Sequence, residues 1–181
     1  PDAPAGAETV SVGGEDRPAL LRVETGVINR GVYTITTLAN GSPEPADSDG
    51  ESGGSGWDEE HWNGRLVYRF GGGCGTTYSQ GFNFFGPPSL ELLEEGYAFA
   101  TNTLNTFQVQ CQDIVSAEAA MMTKEHFAEA YGVPEVTIGE GGSGGAIQQL
   151  LIAQNYPGIL DAIAPSLPFP DAVSISPGVV D

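Results

Sequence analysis

The sequence is poor in positive charge, and it has no long hydrophobic run. Six Lys and Arg residues face 24 Asp and Glu residues, which gives a formal net charge of −18, and Lys124 is the only lysine. Because phosphate binding requires clustered Lys and Arg side chains, this balance argues against a nucleic-acid partner and against binding to an anionic membrane. No apolar run approaches the roughly 20 residues of a membrane span. The excess negative charge favours solubility through self-repulsion, and it also fits an extracellular or high-salt habitat.

Cysteine is scarce as well, with only Cys74 and Cys111 in 181 residues. The pair permits one intrachain disulfide, and the alternative is two buried thiols. A disulfide closing a loop of several tens of residues would contribute about 3–4 kcal/mol of stability through loop entropy.

The sequence lacks a signal peptide but opens as PDAPAGAE. This opening resembles the start of a proteolytically processed chain, and the alternative is a boundary chosen when the sequence was delimited. The low lysine content, this opening and the even cysteine count predict a secreted, extracellular protein.

The most informative stretch is a serine between glycines, at Gly141-x-Ser143-x-Gly145. It fits the G-x-S-x-G nucleophile elbow, in which a strained turn from strand to helix exposes the serine Oγ. The β-branched residues 136–138 precede it as a strand. Helical spacing follows, with Ala146, Ile147, Leu150 and Leu151 on the expected core side and Gln148, Gln149 and Gln154 opposite. The alternative is a flexible Gly-Ser loop in a chain with 26 glycines.

A second glycine run, at residues 71–75, follows an apolar strand at 66–70. It resembles the HGGG-type loop that supplies half of an oxyanion hole, the other half being the N–H of the residue after the nucleophile. That residue is Gly144, and the donor from the loop would be Gly72, Gly73 or Cys74. The alternative is a glycine-rich turn without a role.

The order of the remaining elements predicts an α/β sheet with right-handed crossovers, after an antiparallel opening. Strands are expected at 9–12, 19–23, 31–38, 66–70, 97–101, 136–138 and 159–164. Ser89 is expected to cap a helix over 89–95. Asp113 or Ser116 is expected to cap a longer helix over 113–131. The predicted core stripe of that helix is Ala117, Ala120, Met121, Phe127 and Tyr131. Ligands of such sheets bind at the carboxyl ends of the strands.

Two segments lack regular patterning. Residues 40–60 are rich in Gly, Ser, Pro and acid and predict a solvated surface loop. Asp47, Asp49 and Glu51 alternate within it and are weak calcium candidates, but they lack the complete EF-hand pattern. Residues 165–181 hold four prolines and are expected to be irregular, leading towards a lid or a cleavage site. No cofactor is expected.

Three stretches together resemble the α/β-hydrolase superfamily, and most of all its secreted tannase and feruloyl-esterase group. They are WNGRLVYRFGGG, the EGYAFAT strand and GGSGGAIQQLLIAQNYPGILDAIAPSLP. The resemblance covers about residues 61–168 and implies ester hydrolysis by a Ser-His-Asp triad, with Ser143 as nucleophile. Tannases and feruloyl esterases usually carry a cysteine before that serine, disulfide-bonded to one beside the catalytic histidine. Gly142 stands there instead. The departure argues against a tannin or ferulate substrate, and it suggests that Cys74 and Cys111 brace the oxyanion loop.

No histidine follows Ser143, although the superfamily orders its triad as serine, acid, histidine. His61 and His126 both precede the serine and are expected to be edge or packing residues. Residues 1–181 are therefore interpreted as the N-terminal part of one α/β-hydrolase catalytic domain. Its acid and histidine would come from a second chain or from further polypeptide. The predicted function is carboxylic ester hydrolysis through an acyl-enzyme on Ser143. The alternatives are an amidase, an acyltransferase or a non-catalytic calcium-stabilised binding domain.

Overall fold

A computed structural model describes residues 8–40, 56–75, 79–83 and 85–169. Within these residues it contains eight strands, three α-helices and one 3-10 turn at Thr103–Asn105. The strands are β1 (Thr9–Val12), β2 (Glu15–Pro18), β3 (Leu21–Ile28), β4 (Gly31–Leu38), β5 (Arg65–Arg69), β6 (Ala98–Asn102), β7 (Val136–Gly142) and β8 (Ala162–Ser166). The helices are α1 (Leu90–Glu94), α2 (Asp113–Tyr131) and α3 (Gly144–Asn155).

The predicted α/β sheet is confirmed. Six strands pair in the order β3-β4-β6-β5-β7-β8. The pairs β3–β4 and β4–β6 are antiparallel, whereas β6, β5, β7 and β8 run parallel to one another. The first two strands form a separate antiparallel hairpin. Because β5 and β7 are parallel neighbours, the turns that follow them leave the sheet at the same edge.

The helices α2 and α3 cover one face of the sheet, and the hairpin with α1 covers the other. Residues of α2 and α3 pack on the face that carries Ile35, Leu66 and Tyr68. On the other face, the hairpin and α1 pack against Val67 and Phe99. This two-sided covering buries apolar side chains in two layers. No helix in the described part of the chain is both long and apolar enough to cross a bilayer.

The predicted bounds of α1 and α2 agree with the structure to within a residue, but the predicted cap of α2 and one residue of its predicted core stripe do not. The Ser89 hydroxyl caps α1 by accepting from the Leu92 N–H. In α2, however, the cap is Gln112, whose side-chain oxygen accepts from the Val115 N–H at 2.7 Å, and neither Asp113 nor Ser116 takes that role. Met121 was expected in the core stripe, but its side chain is exposed. The other four predicted positions are buried, and Ala119 is buried as well.

Two predictions for the last elements are wrong. The helix α3 buries Gln148 and Gln149, whereas Ile147, Leu150 and Leu151 are only half-buried. The final strand starts at Ala162 rather than at 159 and reaches Ser166, so it extends into the segment expected to be irregular. Its residues are mostly exposed, because no other strand among the described residues pairs with its outer side.

Some predictions concern residues outside those described. The calcium candidates Asp47, Asp49 and Glu51 fall there, with most of the acidic loop, as do residues 170–181. Among the described residues, no group of three or more His, Cys, Asp or Glu side chains is arranged to hold a metal ion.

A polar cluster joins β3 and β4 to α2. The Glu24 carboxylate accepts hydrogen bonds from Tyr131 at 2.6 Å and Tyr33 at 2.7 Å, and it lies 2.7 Å from His126 Nε2. Burial raises the pKa of Glu24, but the bonds from His126, Tyr131 and Tyr33 outweigh it and lower this pKa from 4.5 to about 2. His126 is thus a packing residue of this cluster, on the α2 side of the sheet.

The Glu24 cluster predicts an acid-dependent loss of stability. A depressed carboxylate pKa contributes stability that is present above about pH 4.5 and is lost as the pH falls towards 2. Glu24→Gln should therefore lower the free energy of unfolding at pH 7 by about 1–2 kcal/mol, after allowing for solvent screening. Denaturant unfolding from pH 2 to 7 should show the two proteins converging at low pH. Glu129→Gln, at an exposed position of α2, the helix that carries His126 and Tyr131, should have little effect. A Glu24→Gln deficit that stayed constant with pH would contradict this account.

Candidate active site

Ser143 lies in a strained turn between β7 and α3. Its backbone has φ 57° and ψ −120°, in a region that residues other than glycine rarely occupy. The turn is held by the Ser143 N–H, which donates to the Ser166 carbonyl at 3.1 Å. Although Ser143 is the N-cap residue of α3, its side chain makes no capping hydrogen bond. Such strain is found at functional sites more often than elsewhere.

The turn is possible only because glycines stand where it meets the neighbouring backbone. A methyl group built on Gly141 or on Gly145 would collide with the Phe70 carbonyl oxygen, at the end of β5. Both glycines of the predicted elbow motif therefore pack against the same carbonyl group. The motif is explained by this contact, since Gly141 has an ordinary negative-φ backbone.

The second glycine run packs directly on the elbow. A methyl group built on Gly72 would lie 3.3 Å from the Ser143 Cβ and 3.7 Å from the Gly144 nitrogen. One built on Gly144 would lie 2.8 Å from the Gly73 nitrogen. Within the described residues, no hydrogen bond uses the N–H of Gly72, Gly73, Cys74 or Gly144. Gly72 and Gly73, two of the three candidates for the donor from the run, thus lie against Gly144 and Ser143.

The glycine run is fixed to the segment 106–111. Cys74 and Cys111 form a disulfide, so the alternative of two buried thiols does not apply. The Gln108 N–H donates to the Gly72 carbonyl at 3.1 Å, and the Cys111 N–H donates to the Gly75 carbonyl at 2.8 Å. These contacts restrain a run that five consecutive small residues would otherwise leave adaptable.

A cavity of about 430 Å³ opens beside the elbow, a size suited to a small-molecule ligand. Its wall includes Arg69, Phe85 and Glu140 as well as the two glycine turns. The Arg69 guanidinium carbon lies 4.4 Å from the centre of the Phe85 ring, and its Nε lies 3.6 Å from a Glu140 oxygen. Sequence reasoning missed Arg69 and Glu140. Both residues lie near the carboxyl ends of adjacent strands, where ligands bind in such sheets, and this placement could have identified them from the sequence.

Neither histidine of the chain lies near Ser143. The His61 Nδ1 bonds Asp58 at 2.8 Å and precedes the amino end of β5, so the length of a five-residue strand, roughly 15 Å, separates it from the elbow. Burial raises the pKa of Asp58, but bonds from His61 and Arg17 outweigh it and lower this pKa. His126 bonds Glu24 on β3, four strand spacings or roughly 19 Å from β7. His126 packs against a carboxylate, as expected, whereas His61, expected at a solvent edge, is half-buried and bonded to Asp58.

The sheet order, the elbow and the adjoining glycine run define a protein of the α/β-hydrolase fold class. One solved structure that matches is oligopeptidase B from Trypanosoma brucei, in a closed form with covalently bound antipain. It shares 13% identity at a TM-score of 0.50, over 87% of this chain and 23% of that one. A Lactobacillus plantarum protein assigned as a carboxylesterase shares 15% identity at a TM-score of 0.41, over 86% of this chain and 65% of that one.

The chain belongs to a tannase-like family of unknown function (DUF6351), which it matches over residues 2–181. No curated protein sequence matches it. The chain spans about a quarter of the oligopeptidase and just under two thirds of the carboxylesterase with which it aligns. The resemblance to tannase-like α/β-hydrolases predicted from the sequence is confirmed.

The contact at Gly141 predicts a large cost for one added methyl group. Gly141→Ala should lower the free energy of unfolding by about 2–3 kcal/mol, because the Phe70 carbonyl cannot move without disturbing β5. The matched control is Gly86→Ala, where a methyl group would meet nothing within 4 Å. That control should change stability by less than about 0.5 kcal/mol. Equal effects in chemical denaturation would show that the contact is unimportant.

The disulfide predicts a separate stability loss. Replacing Cys74 and Cys111 by serine opens a loop of sequence separation 37 and should cost about 3–4 kcal/mol. Unfolding curves of the wild-type protein under reducing conditions should approach those of the double variant, and reductant should leave the variant unchanged. A loss below about 1 kcal/mol would mean that hydrogen bonds hold the glycine run without a contribution from the disulfide.

Proposed function

We propose that the protein is a secreted serine hydrolase that cleaves carboxylic esters, with Ser143 as the nucleophile. The observation that carries the proposal is the strained Ser143 beside backbone N–H groups of two different turns, which make no hydrogen bond within the described residues. Hydrogen-bond donors fixed in advance around a reacting carbonyl are a large source of rate acceleration in acyl transfer. The tannase-like family and the hydrolase fold support the broader assignment to hydrolases.

The proposed reaction has two steps. The Ser143 Oγ bonds to the acyl carbon, its proton passes to a histidine, and the negative charge on the carbonyl oxygen is held by Gly144 and by Gly72, Gly73 or Cys74. The alcohol leaves with that proton. Water then adds to the acyl-enzyme and releases the acid, again with the histidine handling the proton. The amino end of α3, where Gly144 lies, favours the negative charge that develops in both steps.

The histidine and the acid of the triad are proposed to come from polypeptide beyond this chain. The support is that His61 and His126 bond carboxylates far from Ser143. The open side of β8 also gives further strands a place to join, since none among the described residues pairs there. A further segment of the same protein or a second chain could supply them. The disulfide supports secretion, because such bonds persist in oxidising compartments.

Covalent labelling tests the nucleophile. A fluorophosphonate probe should label the full-length protein on Ser143, and Ser143→Ala should abolish labelling. Ser11→Ala, at an exposed position of β1, should label like the wild-type protein. Absence of labelling in the intact full-length protein would reject the proposal and favour a non-catalytic binding domain. Matched ester and amide substrates then separate an esterase from an amidase, and an added alcohol acceptor reveals any acyltransferase activity.

A further inference from the structure

Two consecutive glutamines of α3 are among its most deeply buried side chains. Gln148 is 1% exposed and Gln149 is fully buried. Polar side chains of this size are rarely buried unless their hydrogen-bonding groups are paired. Both amides are paired here, and their partners among the described residues belong to the elbow, to the glycine run or to an element that packs against them.

Gln148 reaches the glycine run. Its Nε2 donates to the Gly71 carbonyl at 2.8 Å and to the Asn105 carbonyl at 3.1 Å. Its Oε1 accepts from the Ser116 hydroxyl at 2.6 Å. The Gly71 N–H in turn donates to the same Asn105 carbonyl at 2.8 Å. Gly71 is the first residue of the glycine run. The start of the run is therefore bonded to α3 through the side-chain amide of Gln148.

Gln149 reaches the elbow. Its Nε2 donates to the carbonyls of Gly141 at 2.9 Å and Gly145 at 3.0 Å, on the two sides of Ser143. Its Oε1 accepts from the Ala164 N–H of β8 at 3.1 Å. Adjacent residues of a helix project about 100° apart, so one turn of α3 can reach both structures.

We propose that Gln148 is a positioning residue, which fixes the glycine run relative to the elbow and thereby sets the separation of the two oxyanion donors. The inference rests on the proposed function. Gln149 anchors α3 to the turn that presents Gly144, and Gln148 anchors the same helix to the run that presents Gly72 and Gly73. Without the Gln148 amide, the run keeps its disulfide and its bonds to 106–111 but loses its bond to the helix that begins at the elbow. Donors that stabilise an oxyanion act only when fixed within a fraction of an ångström.

The test compares ester with thionoester hydrolysis in the full-length protein. Sulfur is a larger and weaker hydrogen-bond acceptor than oxygen, so the ratio of the two kcat/KM values reports the geometry of the donors. Gln148→Met, of similar length, should lower kcat for the ester roughly 10- to 100-fold with KM within about twofold, and it should lower the ester/thionoester ratio at least about fivefold. Gln154→Met, an exposed glutamine of the same helix, should match the wild-type protein.

The ratio does not depend on the amount of folded enzyme, so a merely structural role would leave it unchanged. If Gln148→Met does not fold, Ser116→Ala replaces it, since this change removes the hydroxyl that donates to the Gln148 amide and accepts from the Asn105 side chain. That variant should lower kcat roughly 3- to 10-fold in the same pattern. An unchanged ratio in the folded variant, in a wild-type protein that is labelled at Ser143, would overturn this inference alone. Absence of labelling in the wild-type protein would instead overturn the proposed function.

Discussion

The contact on which the site depends is the one between the Phe70 carbonyl and the two glycines of the elbow. β5 must end against the turn after β7, and no room for a side chain remains at Gly141 or Gly145. That approach brings the run after β5 to within van der Waals distance of Ser143. The strained φ of Ser143 and the position of α3 both follow from the same close packing of backbone on backbone.

The site is surrounded by restraints that come from different elements. The disulfide and the hydrogen bonds from the Gln108 and Cys111 N–H groups hold the glycine run from the side of segment 106–111. Gln148 holds it from the side of the helix. In a chain with 26 glycines, such restraints replace the stiffness that side chains normally give to a loop. Burying the Gln148 amide for this purpose has a low free-energy cost only because each of its polar atoms is hydrogen-bonded.

Sequence reasoning found the parts of the molecule that local pattern determines. Strands 9–12 and 31–38, the helix over 113–131 and the elbow were predicted within a residue or two, since alternation, helical spacing and turn glycines are local signals. It failed on Gln148 and Gln149, because polarity was taken to indicate the solvent side of α3. The helix packs there against backbone carbonyls of glycine turns, which an amide satisfies and an apolar side chain does not. Because the partner of these glutamines is backbone, the contact cannot be recognised from the pattern of hydrophobic residues in the sequence.

The same geometry bears on where the histidine and the acid of the proposed triad would enter. The Ser166 carbonyl, at the carboxyl end of β8, holds the Ser143 N–H. A strand added beside β8 in parallel would lie one spacing away, about 4.8 Å, and its following loop would emerge at the edge of the sheet that carries Ser143. Groups that remove the serine proton could therefore arrive from that side without disturbing the donors, which the chain arranges on the β5 side of the elbow. Under the proposed function, the described residues hold the negative charge and the added polypeptide moves the proton.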